Sequence, residues 1–160
     1  MKRRHETIQR LALQVFDLTR RTWVRSQREK LRGGYDLSES EFLALDALET
    51  AGTLSVGQLR REVGVLPAQM SRIIKALEHR YDEKLVVCSI NPQDKRKIDV
   101  AITPKGRRAV GAYRDAKILM TVRALGSLAD GDLNALTRIL AKIGRAIHDG
   151  PAEGPPWRRR

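Results

Sequence analysis

Apolar residues recur every three or four positions along most of this chain. Ile8, Leu11, Ala12, Val15, Leu18, Thr19, Thr22 and Trp23 keep that spacing, which predicts one long helix over residues 5–32, ended by Gly33-Gly34. Ser38 and Glu41 form a capping box ahead of Phe42, Leu45 and Leu48, so residues 39–50 read as a second helix that stops at Ala51-Gly52. Phe42 and Leu45 should lie in a core. Ser55 and Gln58 repeat the box before Leu59 and Val63. Gly64 then breaks the period, since glycine readily takes the backbone angles of a tight turn. Pro67 restarts it, because its fixed φ suits a first helical turn. In the helix over residues 67–80, Met70, Ile73, Ile74 and Leu77 should face the core.

Beyond that helix the pattern changes to alternation. Leu85–Ile90 and Lys97–Ile102 are β-branched runs around the turn-rich NPQDKR, which predicts a hairpin. Ile98, Val100 and Ile102 share one face; Lys97, Asp99 and Ala101 share the other. Thr53-Leu54 can add a short strand. Thr103 and Pro104 cap a further helix running to about Leu125, and Gly126-Ser127 interrupts it. A last helix starts at Asp130 or Asp132, and its Leu133, Leu136, Leu140, Ile143 and Ile147 alternate in threes and fours like a coiled-coil seam.

The polar side of the helix over residues 67–80 carries Ala68, Gln69, Ser71, Arg72, Lys75 and His79, with no acid before Glu78. Such a surface is slim and rich in donors, as a helix in the DNA major groove needs to be. An ordinary solvated face has the same pattern. The hairpin that follows is basic at its tip, with Lys95, Arg96 and Lys97. Together these predict a mainly α fold with a small β-wing, a winged helix-turn-helix. Charge agrees: 31 basic residues against 19 acidic give +12, a strong prior for a polyanionic partner. Aromatics at 4% argue against recognition of single strands by stacked bases.

The helix-turn-helix ending in SRIIKALE, the wing tip NPQDKR and the following ITPKG together resemble the MarR family of transcription regulators. The likeness runs through nearly the whole chain in element order and is most specific over residues 66–106. It implies a homodimer held by long N- and C-terminal helices, with Ile8, Leu11, Val15, Leu133, Leu136, Leu140, Ile143 and Ile147 at the interface. The implied organisation is a dimerisation helix in residues 1–34, a DNA-binding lobe in 35–103, C-terminal dimerisation helices in 104–149 and a disordered basic tail in 150–160. On this reading the recognition helix presents Ala68, Gln69, Ser71, Arg72 and Lys75, of which Gln69, Ser71 and Arg72 read bases or position the helix; Lys75 and Arg60 or Arg61 hold phosphates, Ser55 meets the DNA backbone, and Asp94, Lys95, Arg96 and Lys97 serve the wing. The family's wing aspartate orients an arginine that enters the minor groove, which maps here to Asp94 and Arg96. One departure is the longer join Tyr81-Asp82-Glu83-Lys84 between helix and wing, which leaves the wing register open and with it the choice among Lys95, Arg96 and Lys97.

The resemblance also implies a pocket for a small aromatic or phenolic effector, for which Phe16, Trp23 and Phe42 are the candidate lining aromatics. Each of them also reads as plain core. The expected protein is a repressor of transcription, cytoplasmic and nucleoid-associated, acting on double-stranded DNA. A non-specific architectural DNA-binding protein and a winged-helix protein-interaction module remain alternatives. No nucleophile–base pair, phosphate loop or metal-ligand grouping is visible, so neither enzyme activity nor a cofactor or metal is expected. No apolar run approaches the ~20 residues of a membrane span. The single cysteine, Cys88, sits among wing-strand residues, and family oxidant sensors carry theirs near the first helix.

Overall fold

The computed structural model describes the backbone of residues 2–30 and 36–149, and the side chains of residues 3–22 and 36–149. In order the elements are α1 (Lys2–Lys30), α2 (Glu39–Ala51), β1 (Thr53–Ser55), α3 (Val56–Val63), α4 (Pro67–His79), β2 (Val86–Ile90), β3 (Ile98–Ile102), α5 (Pro104–Leu125) and α6 (Asp130–His148). The expected stop at Gly33-Gly34 and the tail over residues 150–160 lie outside the described residues. α1 begins nearer the terminus than the apolar period suggests, because its polar first turn continues the helix without an apolar position.

Both capping boxes form. Ser38 Oγ accepts from the Glu41 N–H at 3.3 Å while the Glu41 carboxylate accepts from the Ser38 N–H at 2.7 Å. Ser55 and Gln58 do the same at 3.3 and 2.9 Å. Each box satisfies orphan amides and so fixes where α2 and α3 start. Gly64 closes α3 at φ +71°, and Pro67 opens α4 at its first position. The turn between them sets the helix-turn-helix.

One apolar core receives Leu45 and Leu48 of α2, Leu59 of α3, and Met70, Ile73, Ile74 and Leu77 of α4. Val86, Val100 and Ile102 of the sheet join it, as do Leu37 and Leu85. The first half of α5 contributes Ala109, Val110 and Tyr113, so the lobe's core draws on chain beyond residue 103. Phe42 is half-buried and stacks on Tyr113, with ring centroids 4.3 Å apart. Arg114 of α5 bonds Asp46 at 2.8 Å and Glu49 at 2.9 Å, on α2.

The sheet is antiparallel in the order β1-β3-β2. Cys88 opposes Val100 and Ile90 opposes Ile98. The long join does not loosen this register. Leu85 is fully buried and its N–H donates to the Leu77 carbonyl at 2.9 Å. Lys84 lies 3.5 Å from Glu78, and Glu83 pairs with Lys105 at 3.2 Å. A slip of one residue would turn Val86, Val100 and Ile102 out of the core. Ile98, which shares their face, is half exposed because the hairpin extends past the core there.

The chain divides into two units, residues 1–120 and 121–160. In the second, α5 ends at Leu125 and α6 starts after Ala129 with Asp130 and Asp132 in its first turn, where acidic groups favour the helix dipole. Leu133 and Leu136 are half-buried, whereas Leu140, Ile143 and Ile147 are exposed. In the first unit, Ile8, Leu11, Val15 and Phe16 of α1 are also exposed.

Candidate nucleic-acid interface

The buried stripe of α4 anchors the helix by one side only. Its other side leaves Ala68, Gln69, Ser71, Arg72 and Lys75 exposed, as their spacing predicts. Ser71 Oγ donates to the Pro67 carbonyl at 3.2 Å, so its hydroxyl lies along its own helix in this state. His79, at the end of the helix, sits 3.5 Å from Glu78. The exposed surface is therefore amide, hydroxyl and cation, with its acid confined to the last turn.

The wing tip is a stiff turn. Asn91 Oδ1 accepts from the backbone N–H groups of Gln93 at 2.9 Å and Asp94 at 2.8 Å, and Asn91 Nδ2 donates to Asp99 at 2.8 Å. From sequence Asn91 reads only as a turn residue; its asparagine-plus-proline setting is the signal for this geometry. Within the turn, Asp94 Oδ1 accepts from both the backbone N–H and the Nε of Arg96, each at 3.2 Å. Lys97 Nζ reaches the other carboxylate oxygen at 3.1 Å. The Lys97 ammonium, followed by the Arg96 N–H and guanidinium, holds the Asp94 carboxyl below the usual carboxylate range. The Arg96 side chain is nonetheless 91% exposed, so its base is fixed while its head points to solvent. The expected pairing of Asp94 with Arg96 is present, and Lys97 shares it.

Between the first turn of α3 and the wing runs a groove of about 790 Å³, lined by Ser55, Gln58 and Arg61 on one wall and by Asp94, Arg96 and Lys97 on the other. Ser55 Oγ donates to Gln58 Oε1 at 2.7 Å, so its hydroxyl already serves the cap. Arg61 is exposed and Arg60 half-buried. Lys95 is exposed at the tip. The geometry brings these cations and the outer face of α4 onto one lobe with no acidic barrier in the groove except the engaged Asp94.

Phe42 packs on Tyr113, Phe16 is 66% exposed, and the Trp23 side chain lies outside the described residues. Cys88 is exposed, and partial burial followed by the Glu78 charge pushes its thiol up rather than down. Among the described residues no group of His, Cys, Asp and Glu is placed to hold a metal ion. None of the described helices is long and apolar enough to cross a membrane.

Comparison with known proteins agrees with this geometry. Residues 37–98 match the family model described as the MarR family. No curated protein sequence matches the chain. Among solved structures, a MarR family protein from Bacillus stearothermophilus superposes with a TM-score of 0.77 at 17% identity, covering 90% of this chain and 97% of its own. BpsR of Bordetella bronchiseptica, whose DNA binding is regulated by 6-hydroxynicotinic acid, is 28% identical over 82% of this chain and 98% of its own, with a TM-score of 0.53. A mutant MepR of S. aureus bound to an oligodeoxyribonucleotide has a TM-score of 0.61 at 15% identity, covering 86% of this chain and 97% of that one.

Proposed function

We propose that the chain, whose residues 37–98 match the MarR family model, is a MarR-family winged helix-turn-helix regulator that represses transcription as a homodimer on a pseudo-palindromic operator. The observation that carries this reading is the wing latch, in which Asp94 steadies an exposed Arg96 across a groove from the first turn of α3, on the lobe whose α4 keeps its acid to the last turn. In the proposed complex Gln69, Ser71 and Arg72 read base edges in the major groove, with Ala68 allowing close approach. Lys75, Arg60 and Arg61 hold phosphates, and Ser55 presents the α3 N-terminus to the backbone. Arg96 enters the minor groove, where a narrow A·T-rich stretch attracts arginine, with Lys95 and Lys97 beside it. Each good base contact is worth ~1–3 kcal/mol of discrimination.

The two copies would join through α1 and α6, setting their α4 helices about one DNA turn apart. DNA binding in BpsR responds to a hydroxylated aromatic acid, and we propose a small aromatic or phenolic effector here as well, bound near Phe16, Trp23 and Phe42. A DNA-bound repressor of this kind works in the cytoplasm, on the nucleoid.

The test is affinity for DNA from upstream of its own gene against scrambled DNA, at several salt concentrations. A strong preference for the native DNA, with affinity falling steeply in salt, is expected. Equal binding to both would replace the regulator with an architectural protein. Salt-insensitive or absent binding would point to a protein partner instead.

A further inference from the structure

Arg80 caps the end of the DNA-facing helix, and its guanidinium reaches the chain at the start of α2. Its Nη2 donates to the Asp36 carbonyl at 2.7 Å and to the Glu41 carboxylate at 2.9 Å, and it also bonds the Tyr81 hydroxyl. The Tyr81 hydroxyl in turn donates to the same Asp36 carbonyl at 3.2 Å. The Arg80 guanidinium carbon lies 4.9 Å from the centre of the Tyr81 ring. Glu41 is 3% exposed and at the same time closes the capping box of α2. Four groups separated by some forty positions in the chain thus share one knot, and it ties the last turn of α4 to the chain that leads into α2.

Glu41 is buried but the Arg80 side chain is 48% exposed, so the pair is a poor source of stability: desolvation of the carboxylate and solvent screening of the guanidinium offset most of the attraction. Its best-attested use is to fix one register among several. Arginine suits that use here, since its Nη2 serves the carbonyl, the carboxylate and the phenol while the guanidinium lies over the Tyr81 ring, an arrangement that the compact ammonium of a lysine does not reproduce. The residues that set α4 against the core are apolar and their contacts non-directional; the bonds of the knot are directional.

Resting on the DNA-binding reading above, we propose that Arg80 is a positioning residue for DNA recognition. It locks the aim of α4 to the Asp36–Glu41 segment, so that any displacement of that segment re-aims the base-reading Gln69, Ser71 and Arg72. Arg80 itself touches no DNA. The start of α2 then controls what α4 reads.

The test uses the full chain, with Arg80→Lys and the double variant Glu41→Gln with Arg80→Met. The double variant leaves no unpaired buried charge and keeps a side chain that can complete the α2 cap, so it is the safer folder. Affinity is measured for the native upstream DNA and for scrambled DNA across salt, and amide exchange is followed without DNA. Both variants should lose about tenfold in preference for the native DNA. Scrambled-DNA affinity and the salt slope should stay as in the wild type, because no phosphate contact is lost. Exchange should quicken at the end of α4 and the start of α2, but not in β2 and β3. A salt slope lowered by about one phosphate would make Arg80 a direct contact and overturn the proposal. So would an unchanged preference in the double variant. A wild-type protein that does not discriminate between the two DNAs would instead bring down the DNA-reading premise itself.

Discussion

A methyl group added at Gly106 would lie 2.2 Å from the Leu85 carbonyl oxygen and 2.7 Å from Ile102 Cγ1. The close approach is set by Thr103, whose N–H donates to Leu85 O at 3.0 Å and whose hydroxyl accepts from the Gly106 N–H at 3.0 Å. That cap presses the first turn of α5 onto the strand start, and only a residue without a side chain fits beneath it. Gly106→Ala should therefore cost about 1–3 kcal/mol of stability through overpacking. Urea unfolding of the two proteins measures this, and an unmoved midpoint would mean that α5 docks elsewhere. Cys88 offers a second residue-scale expectation. Partial burial, helped by the Glu78 charge, raises its thiol pKa, so at neutral pH less thiolate is present than in an ordinary cysteine. Its alkylation by iodoacetamide should be slower than that of a free thiol at pH 7 and should accelerate only at alkaline pH. DNA affinity should survive the modification; a loss of affinity on mild oxidation would make the thiol a sensor.

At the scale of elements, local rules carried most of the fold. The two capping boxes, the Gly64 turn, the Pro67 start and the apolar stripe of α4 each depend on residues within a few positions of one another, and such relations are visible in a sequence. The wing strands follow from alternation in the same way. What stayed hidden joins distant residues: Arg80 with Glu41, Arg114 with Asp46 and Glu49, and the contact that makes Gly106 obligatory. No periodicity encodes which charges meet once helices have packed. The wing tip stands between these cases, since the Asp94–Arg96 pair was expected from family resemblance while the Asn91 scaffold beneath it follows from turn chemistry. Asp94→Asn should leave stability nearly unchanged, because the site is at the surface. It should weaken DNA binding by freeing Arg96 and Lys97 from their shared carboxylate. The sign of its pH dependence is fixed by the lowered folded-state pKa. The latch is complete above the ordinary carboxylate range and is lost only as pH falls through that lower value. Between about pH 5 and 8 the latch should therefore give DNA affinity no pH dependence. Affinity titrated over that window, in wild type and variant, checks both statements.

For the whole molecule the decisive feature is what its helices leave open. No residue of α6 is buried, and Leu140, Ile143 and Ile147 stand on its surface at seam spacing. On α1, Ile8, Leu11 and Val15 are each more than half exposed. Each such side chain gains about 1.5–3 kcal/mol when fully buried, so covering these stripes with a second copy would outweigh a moderate cost of association. The charge pattern allows it, since α6 mixes acidic Asp130 and Asp132 with Arg138, Lys142 and Arg145 and presents no single repelling field. A dimer would also explain the economy of the DNA-facing lobe. One α4 face offers few base contacts at ~1–3 kcal/mol apiece, and two faces joined rigidly nearly double that number without a second cost of association. Ile143→Glu places a charge in the middle of the seam. The wild type should sediment as a dimer at micromolar concentration and the variant as a monomer with an intact winged-helix lobe. The variant's affinity for a two-half-site operator should fall toward that for a single half-site, while its helical circular dichroism changes little. A wild type that sediments as a monomer would leave the stripes to another partner and reduce the operator to one half-site.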